Sequence, residues 1–135
     1  MTDLESLSLN DRIRNVLDRK NFASVATLNP DGAPQASIVW VLRDGDAVLF
    51  SVTSKRQKAR NLARDPRVSL TIFDLENPYY SVEIRGTAEI AEDPERTLSK
   101  RLSHKYLGED PPPEPDDVVR LVISVRAEKI VEFSP

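Results

Sequence analysis

Apolar and polar positions change period several times along the chain, and each change marks an element. Leu9, Ile13, Val16 and Leu17 recur at helical spacing, with Asp11, Arg12, Arg14, Asn15 and Asp18 on the other side. This predicts a helix over 9–19 capped by Ser8. Its stripe could serve a partner or the chain's own sheet, and packing over a barrel mouth is the reading taken. From Phe22 the pattern becomes that of strands, at 22–28, 35–42 and 47–52. Asn29-Pro30-Asp31-Gly32 and Arg43-Asp44-Gly45-Asp46 supply the turns between them. A helix over 55–64 ends before Pro66, which cannot easily continue it. Strands at 67–74 and 80–91 follow, divided at Asn77-Pro78. In the second, Val82, Ile84, Ala88 and Ile90 alternate with Glu83, Arg85, Thr87 and Glu89, and Gly86 marks a bulge or bend.

Asp93-Pro94 opens a helix over 94–107, with proline at the favoured first position and Leu98, Leu102 and Tyr106 facing inward. Residues 108–117 are acidic and proline-rich, hence extended. They read as a recognition segment or a stiff surface connector, and the connector is preferred. Residues 119–133 close the chain as one long strand or a bent pair. Antiparallel strands with short turns and three helices predict one mainly β domain over 1–135, closed as a barrel.

The run Ser54-Lys55-Arg56-Gln57-Lys58 conflicts with the helix it should start. Ser54 and Gln57 have the spacing of a capping box, which would put Lys55 and Arg56 in the first turn with Lys58 just behind. A helix N-terminus already carries about half a positive charge, so each exposed cation there costs ~0.3–1 kcal/mol. A bound phosphate or carboxylate would reverse the sign. The alternative is a solvated basic helix, with Arg60 and Arg64 continuing the pattern. The absence of a GxxxxGK[ST] run excludes a P-loop.

Composition narrows the chemistry. A net charge of −3 makes the basic run a local feature and argues against general nucleic-acid binding. With no Cys and one His, neither a thiol nucleophile nor a zinc site is expected, and no metal is assigned. Residues 1–5 are acidic and lack an apolar signal region, and no apolar run approaches the ~20 residues of a membrane span, so a cytoplasmic protein is expected. His104 follows Ser103 directly, and adjacent residues do not face one another on a helix, so an exposed histidine is expected rather than a dyad. No carboxylate pair has glycosidase spacing. Trp40 either fills the core or walls a flat ligand. These features give a small barrel with an anion site and leave the catalytic residues unassigned.

The segments FASVATLNPDGAPQASIVWV, LFSVTSKRQKARNLARDPRVSL and YSVEIRGTAEI, in this order and spacing, resemble the pyridoxamine 5′-phosphate oxidase-like split β-barrel flavoproteins. The resemblance covers Asp11 to Phe133. Within that superfamily the chain is most similar to the branch of small oxidoreductases using the deazaflavin coenzyme F420. The resemblance implies a homodimer with cofactor sites between subunits, and a small-molecule substrate. Relatives hold the cofactor phosphate with Arg-x-Lys followed by Arg-Asn-Leu, which Arg56, Lys58 and Arg60-Asn61-Leu62 match. Gln57 stands where oxidases using flavin mononucleotide (FMN) tend to carry Arg, which favours F420 with FMN as the alternative. Ser37, Ile38, Val39, Trp40, Val52 and Thr53 would line the ring system, and Thr53 and Ser54 would offer hydroxyls near the phosphate. Tyr79, Tyr80 and Ser81 of the opposite subunit would close the groove. The implied activity is hydride transfer from reduced deazaflavin to a small conjugated acceptor held within ~3–3.5 Å. A proton would come from solvent, Tyr106 or a groove residue. A biliverdin-type tetrapyrrole is one possible acceptor. An FMN-dependent oxidoreductase and a non-catalytic flavin- or haem-binding module are the competing readings.

Overall fold

The computed structural model describes residues 6–135, so the expectation for residues 1–5 lies outside it. Ten elements follow in the order α1 (Asp11–Asp18), β1 (Ala23–Leu28), β2 (Pro34–Val39), β3 (Leu42–Asp44), β4 (Ala47–Thr53), α2 (Gln57–Arg64), β5 (Arg67–Asp74), β6 (Asn77–Glu92), α3 (Thr97–Leu107) and β7 (Arg120–Phe133). The seven strands form one antiparallel sheet in the order β2-β1-β5-β6-β7-β4-β3. The two edge strands, β2 and β3, are neighbours in sequence, so the sheet must curl until its edges meet through Trp40-Val41. The barrel is therefore closed by the chain and split in its hydrogen-bond ladder. Among the described residues no helix is long and apolar enough to cross a membrane.

Two apolar clusters lie on opposite faces of the sheet. The barrel interior takes Val25, Val48, Phe50, Val52, Leu70, Ile72, Val82, Ile84, Ile123 and Val125, with Ile13, Val16 and Leu17 of α1 and Ala59 and Leu62 of α2. An eight-residue helix such as α1 is too short to persist alone. It holds by burying those three side chains, each worth ~1.5–3 kcal/mol. The smaller cluster joins Leu98, Leu102 and Tyr106 of α3 to Trp40, Leu42, Leu49 and Val122 on the sheet's outer face.

The strand periodicity survives with shifted boundaries. The expected strand 35–42 is two strands, because the Val41 backbone leaves the ladder: its N–H donates to Tyr106 Oη (3.2 Å) and its carbonyl accepts from Lys105 Nζ (2.7 Å). The break expected at Asn77-Pro78 falls earlier, at Leu75-Glu76, and β6 begins at Asn77. Gly86 does mark a bulge: Arg85 pairs with Lys129 and Gly86 with Ala127, leaving Glu128 as the extra residue. Any Cβ at Gly86 would collide with the Arg126 carbonyl oxygen.

The three helix starts differ from expectation for local reasons. Asn10, not Ser8, caps α1, accepting from Ile13 N at 2.9 Å, while Leu9 N is drawn off to Asp46 Oδ1. The Ser54–Gln57 capping box does not form. Ser54 N donates to the Val119 carbonyl (2.9 Å), residues 54–56 make a turn, and α2 starts at Gln57 with no side-chain cap. Pro94 precedes α3 and is not its first residue. Asp93 still caps α3 from outside, its two carboxylate oxygens accepting from Thr97 N (2.9 Å) and Leu98 N (3.0 Å).

Candidate functional site

A groove of about 440 Å³ opens where four pieces of chain meet. Ile38, Val39 and Trp40 come from β2 and the residue after it, and Ser51, Val52 and Thr53 from the end of β4. Arg56 comes from the turn before α2 and Lys58 from the helix's first turn, and α3 with the proline-rich loop forms the opposite wall. The loop contributes Glu109, Asp110, Pro111 and Pro112, and β7 adds Arg120. These loop residues and Arg120 were missed in the sequence, where acidity and proline content read as a solvent-facing connector. The loop's length and its acidic, proline-rich composition were the only signal available in the sequence.

Trp40 packs against the outer cluster and also borders the groove. Its indole stacks on the Tyr106 ring, with centroids 5.0 Å apart and planes 8° from parallel, and it lines the groove while half-buried. Tyr106 is pinned in turn: its hydroxyl donates to the Asn21 carbonyl (2.5 Å) and accepts from Val41 N. Burial raises its pKa, and its proton is committed to backbone, so Tyr106 braces the aromatic wall and is unsuited to donate a proton into the groove. Lys105 supports the same corner, donating to the Leu17 (2.6 Å) and Val41 carbonyls with its ammonium 4.9 Å from the Tyr106 ring centroid. Burial lowers its pKa to about 8.

Among the described residues the basic turn at the end of the groove has no counter-ion. Among the described residues neither Arg56 nor Lys58 makes a side-chain hydrogen bond or ion pair with another residue, and the first turn of α2 has no side-chain cap. Burial, and then the nearby Arg56 charge, lower the Lys58 pKa. A half-buried ammonium beside a guanidinium and uncapped backbone N–H groups is destabilised as it stands. An anion there would relieve all three at once. The chemistry of this end fits a phosphate, and the rigid aromatic wall fits a flat ring, so the residues present suit a phosphorylated flavin or deazaflavin.

The expected site residues divide. Val39, Trp40, Val52, Thr53, Arg56 and Lys58 line the groove together. Ser37 is half-buried on β2 outside it, its Oγ without a hydrogen-bond partner. Ser54 lies in the turn, outside the groove lining. Asn61 is 0% exposed, donating to Thr27 Oγ1 (3.0 Å) and Asn29 Oδ1 (2.9 Å), so in this chain it fastens α2 to the β1–β2 turn. Tyr79, 71% exposed, and Ser81 lie on β6 away from this groove. Tyr80 is buried, its hydroxyl bonded to Glu132 and its ring under Arg12. His104 is exposed and reaches Asp110 Oδ1 at 2.6 Å, while Ser103 turns to the Glu109 carbonyl, so the pair forms no dyad.

Comparison with known proteins agrees with this geometry. Residues 9–133 match the pyridoxamine 5′-phosphate oxidase family, an oxidoreductase family, and the chain belongs to it. A pyridoxine/pyridoxamine 5′-phosphate oxidase of Kineococcus radiotolerans is 35% identical over 69 residues, which is 51% of this chain and 30% of that longer protein. Among solved structures, an F420 reductase superposes with a TM-score of 0.83 at 34% identity, covering 91% of this chain and 98% of its own. A conserved hypothetical protein of Mycobacterium tuberculosis shares the fold, with a TM-score of 0.76 at 24% identity over 96% of this chain and 87% of its own.

Proposed function

We propose that the protein is an F420-dependent reductase whose groove holds the deazaflavin ring against Trp40 and its phosphate at Arg56 and Lys58. The observation that carries this reading is the pair of unpartnered cations at the uncapped start of α2, in the same groove as a braced aromatic wall. Likeness to an F420 reductase along nearly that protein's whole length supports the deazaflavin over FMN. Gln57 supports it too: where the resemblance expects an arginine in FMN oxidases, this chain has an amide that bonds Asn61 (2.8 Å) and Arg60 within α2.

Reduced deazaflavin supplies a hydride when bound. The chain's own residues bind and orient. Arg56 and Lys58 fix the anionic end, Thr53 and Ser51 offer hydroxyls beside it, and Val39, Val52 and Leu102 exclude water from the ring. Tyr106, committed to backbone, does not supply the proton that accompanies reduction, which leaves solvent or a groove residue. The reading extends to a homodimer. The ladder places Phe73, Ser81 and Phe133 side by side on one face of β5, β6 and β7. Phe73, Tyr79, Val131 and Phe133 (61%) are exposed there. An apolar patch of this kind favours a second copy, whose Tyr79 and Ser81 would complete each groove.

Side-by-side titration with F420 and FMN tests the reading, with the single Trp, Trp40, as reporter. Tight quenching by F420 and weak quenching by FMN is expected. The reverse preference would replace F420 by FMN, and no quenching by either would remove both.

A further inference from the structure

The proline-rich part of the groove wall is held by one carboxylate. Glu114, in the proline-rich loop, accepts from Arg120 Nε (3.0 Å) and Nη2 (2.8 Å), and from Arg96 Nε (3.0 Å). Arg96 also donates to the Val118 carbonyl at 3.0 Å. All three side chains are only 22–25% exposed. Arg96 has φ 59°, the only non-glycine residue in the left-handed region among those described. Such a backbone persists only where its surroundings over-determine it, and here its side chain is what fastens the loop.

The grip on Arg120 is one-sided. Glu114 takes the Nε–Nη2 edge of the guanidinium, and Nη1 is directed to Ser51 Oγ (3.4 Å), which also lines the groove. Arg120 stands opposite Thr53 in the ladder, so it faces the end of the groove where β4 runs into the basic turn. We propose that Glu114 is a positioning residue that aims the free edge of Arg120 at the anionic part of the groove's ligand, making Arg120 its third cation beside Arg56 and Lys58. The identity of that ligand rests on the cofactor reading above.

The proposal fixes a sign. By charge alone, removing a carboxylate next to Arg120 raises the positive potential of the groove and tightens anion binding. By positioning, removal releases a long side chain into many rotamers and weakens binding, because a two-bond grip supplies geometry as well as energy. Positioning sets the sign, because Glu114 grips the guanidinium directly whereas its charge reaches the ligand only past Arg120.

The test measures dissociation constants for F420, FMN and inorganic pyrophosphate at physiological salt. The proteins are the wild type, Glu114→Gln, Glu114→Ala, Arg120→Gln and the Glu114→Ala/Arg120→Gln double variant. Glu114→Ala and Arg120→Gln should each weaken binding about tenfold, the scale of a lost charged hydrogen bond. The double variant should be no weaker than Arg120→Gln, since Glu114 acts through Arg120. Unchanged or tighter binding by Glu114→Ala, or additive losses in the double variant, overturns the proposal. Should Glu114→Ala fail to fold, Glu114→Gln decides with the same sign. Pyrophosphate binding without F420 or FMN binding would remove the cofactor reading while still deciding this one. Failure of all three probes to bind the wild type would overturn both.

Discussion

Replacing Lys58 with methionine separates the anion site from a solvated basic helix, because both predict a more stable free protein and only the anion site predicts weaker ligand binding. Methionine keeps most of the aliphatic length and a good helix propensity, so the loss is confined to the charge. In the free protein that charge is half-buried, unpaired, next to Arg56 and in the first turn of α2, and its pKa is lowered by burial. Removing a cation from a helix N-terminus gains ~0.3–1 kcal/mol. For a domain of this size that raises the melting temperature by about 1–4 °C. With ligand, the same change removes a charged hydrogen bond worth ~1.5–3 kcal/mol, weakening binding roughly ten- to a hundredfold. Differential scanning calorimetry without ligand and isothermal titration with F420 read the two quantities separately. A Lys58→Met protein that melts lower and binds F420 as tightly as the wild type would refute the reasoning. Arg12→Ala, outside the groove, should leave affinity unchanged.

Three further perturbations probe the frame around the site. Tyr106→Phe leaves the Val41 N–H without its partner and should cost about 1–3 kcal/mol in denaturant unfolding, while the pH profile of turnover stays as in the wild type because this phenol gives no proton to substrate. Gly86→Ala drives a methyl into the Arg126 carbonyl and should cost at least ~1–3 kcal/mol; unaltered stability would mean the bulge yields easily. Lys105 binds its proton less tightly folded (pKa about 8) than unfolded (10.5). Between those values the unfolded state therefore carries more proton and stability rises with pH. Urea midpoints should show that rise in the wild type and a flatter profile in Lys105→Met, and parallel profiles would contradict it.

Much of the frame was legible because burial imposes a period. The alternation from Val82 to Ala88 and the stripe Leu9, Ile13, Val16, Leu17 are direct records of which side faces the core, whereas Ile90, expected on the inner side, is exposed. What escaped was set by partners distant in sequence. Nothing in Ile38-Val39-Trp40-Val41-Leu42 announces a strand break; it arises because Lys105 and Tyr106, on α3, take the Val41 backbone. The Ser54–Gln57 spacing was right for a cap, yet Val119 engages the Ser54 backbone first. Two cations of the groove, Arg56 and Lys58, were visible from their conflict with the helix dipole, and Arg120 was not. The loop carrying Glu109 and Asp110 into the groove wall was not visible, because Glu114, which fastens it, acquires meaning only through Arg96 and Arg120. Asn61 fits the resemblance but is spent on Thr27 and Asn29, a use that only the folded chain reveals.

The central claim is that the start of α2 awaits an anion, and a crystal structure of the protein with F420 tests it most directly. The account predicts the phosphate within hydrogen-bond distance of Arg56 and Lys58, with the ring beside Trp40. A phosphate bound elsewhere, with both side chains in solvent, would contradict it.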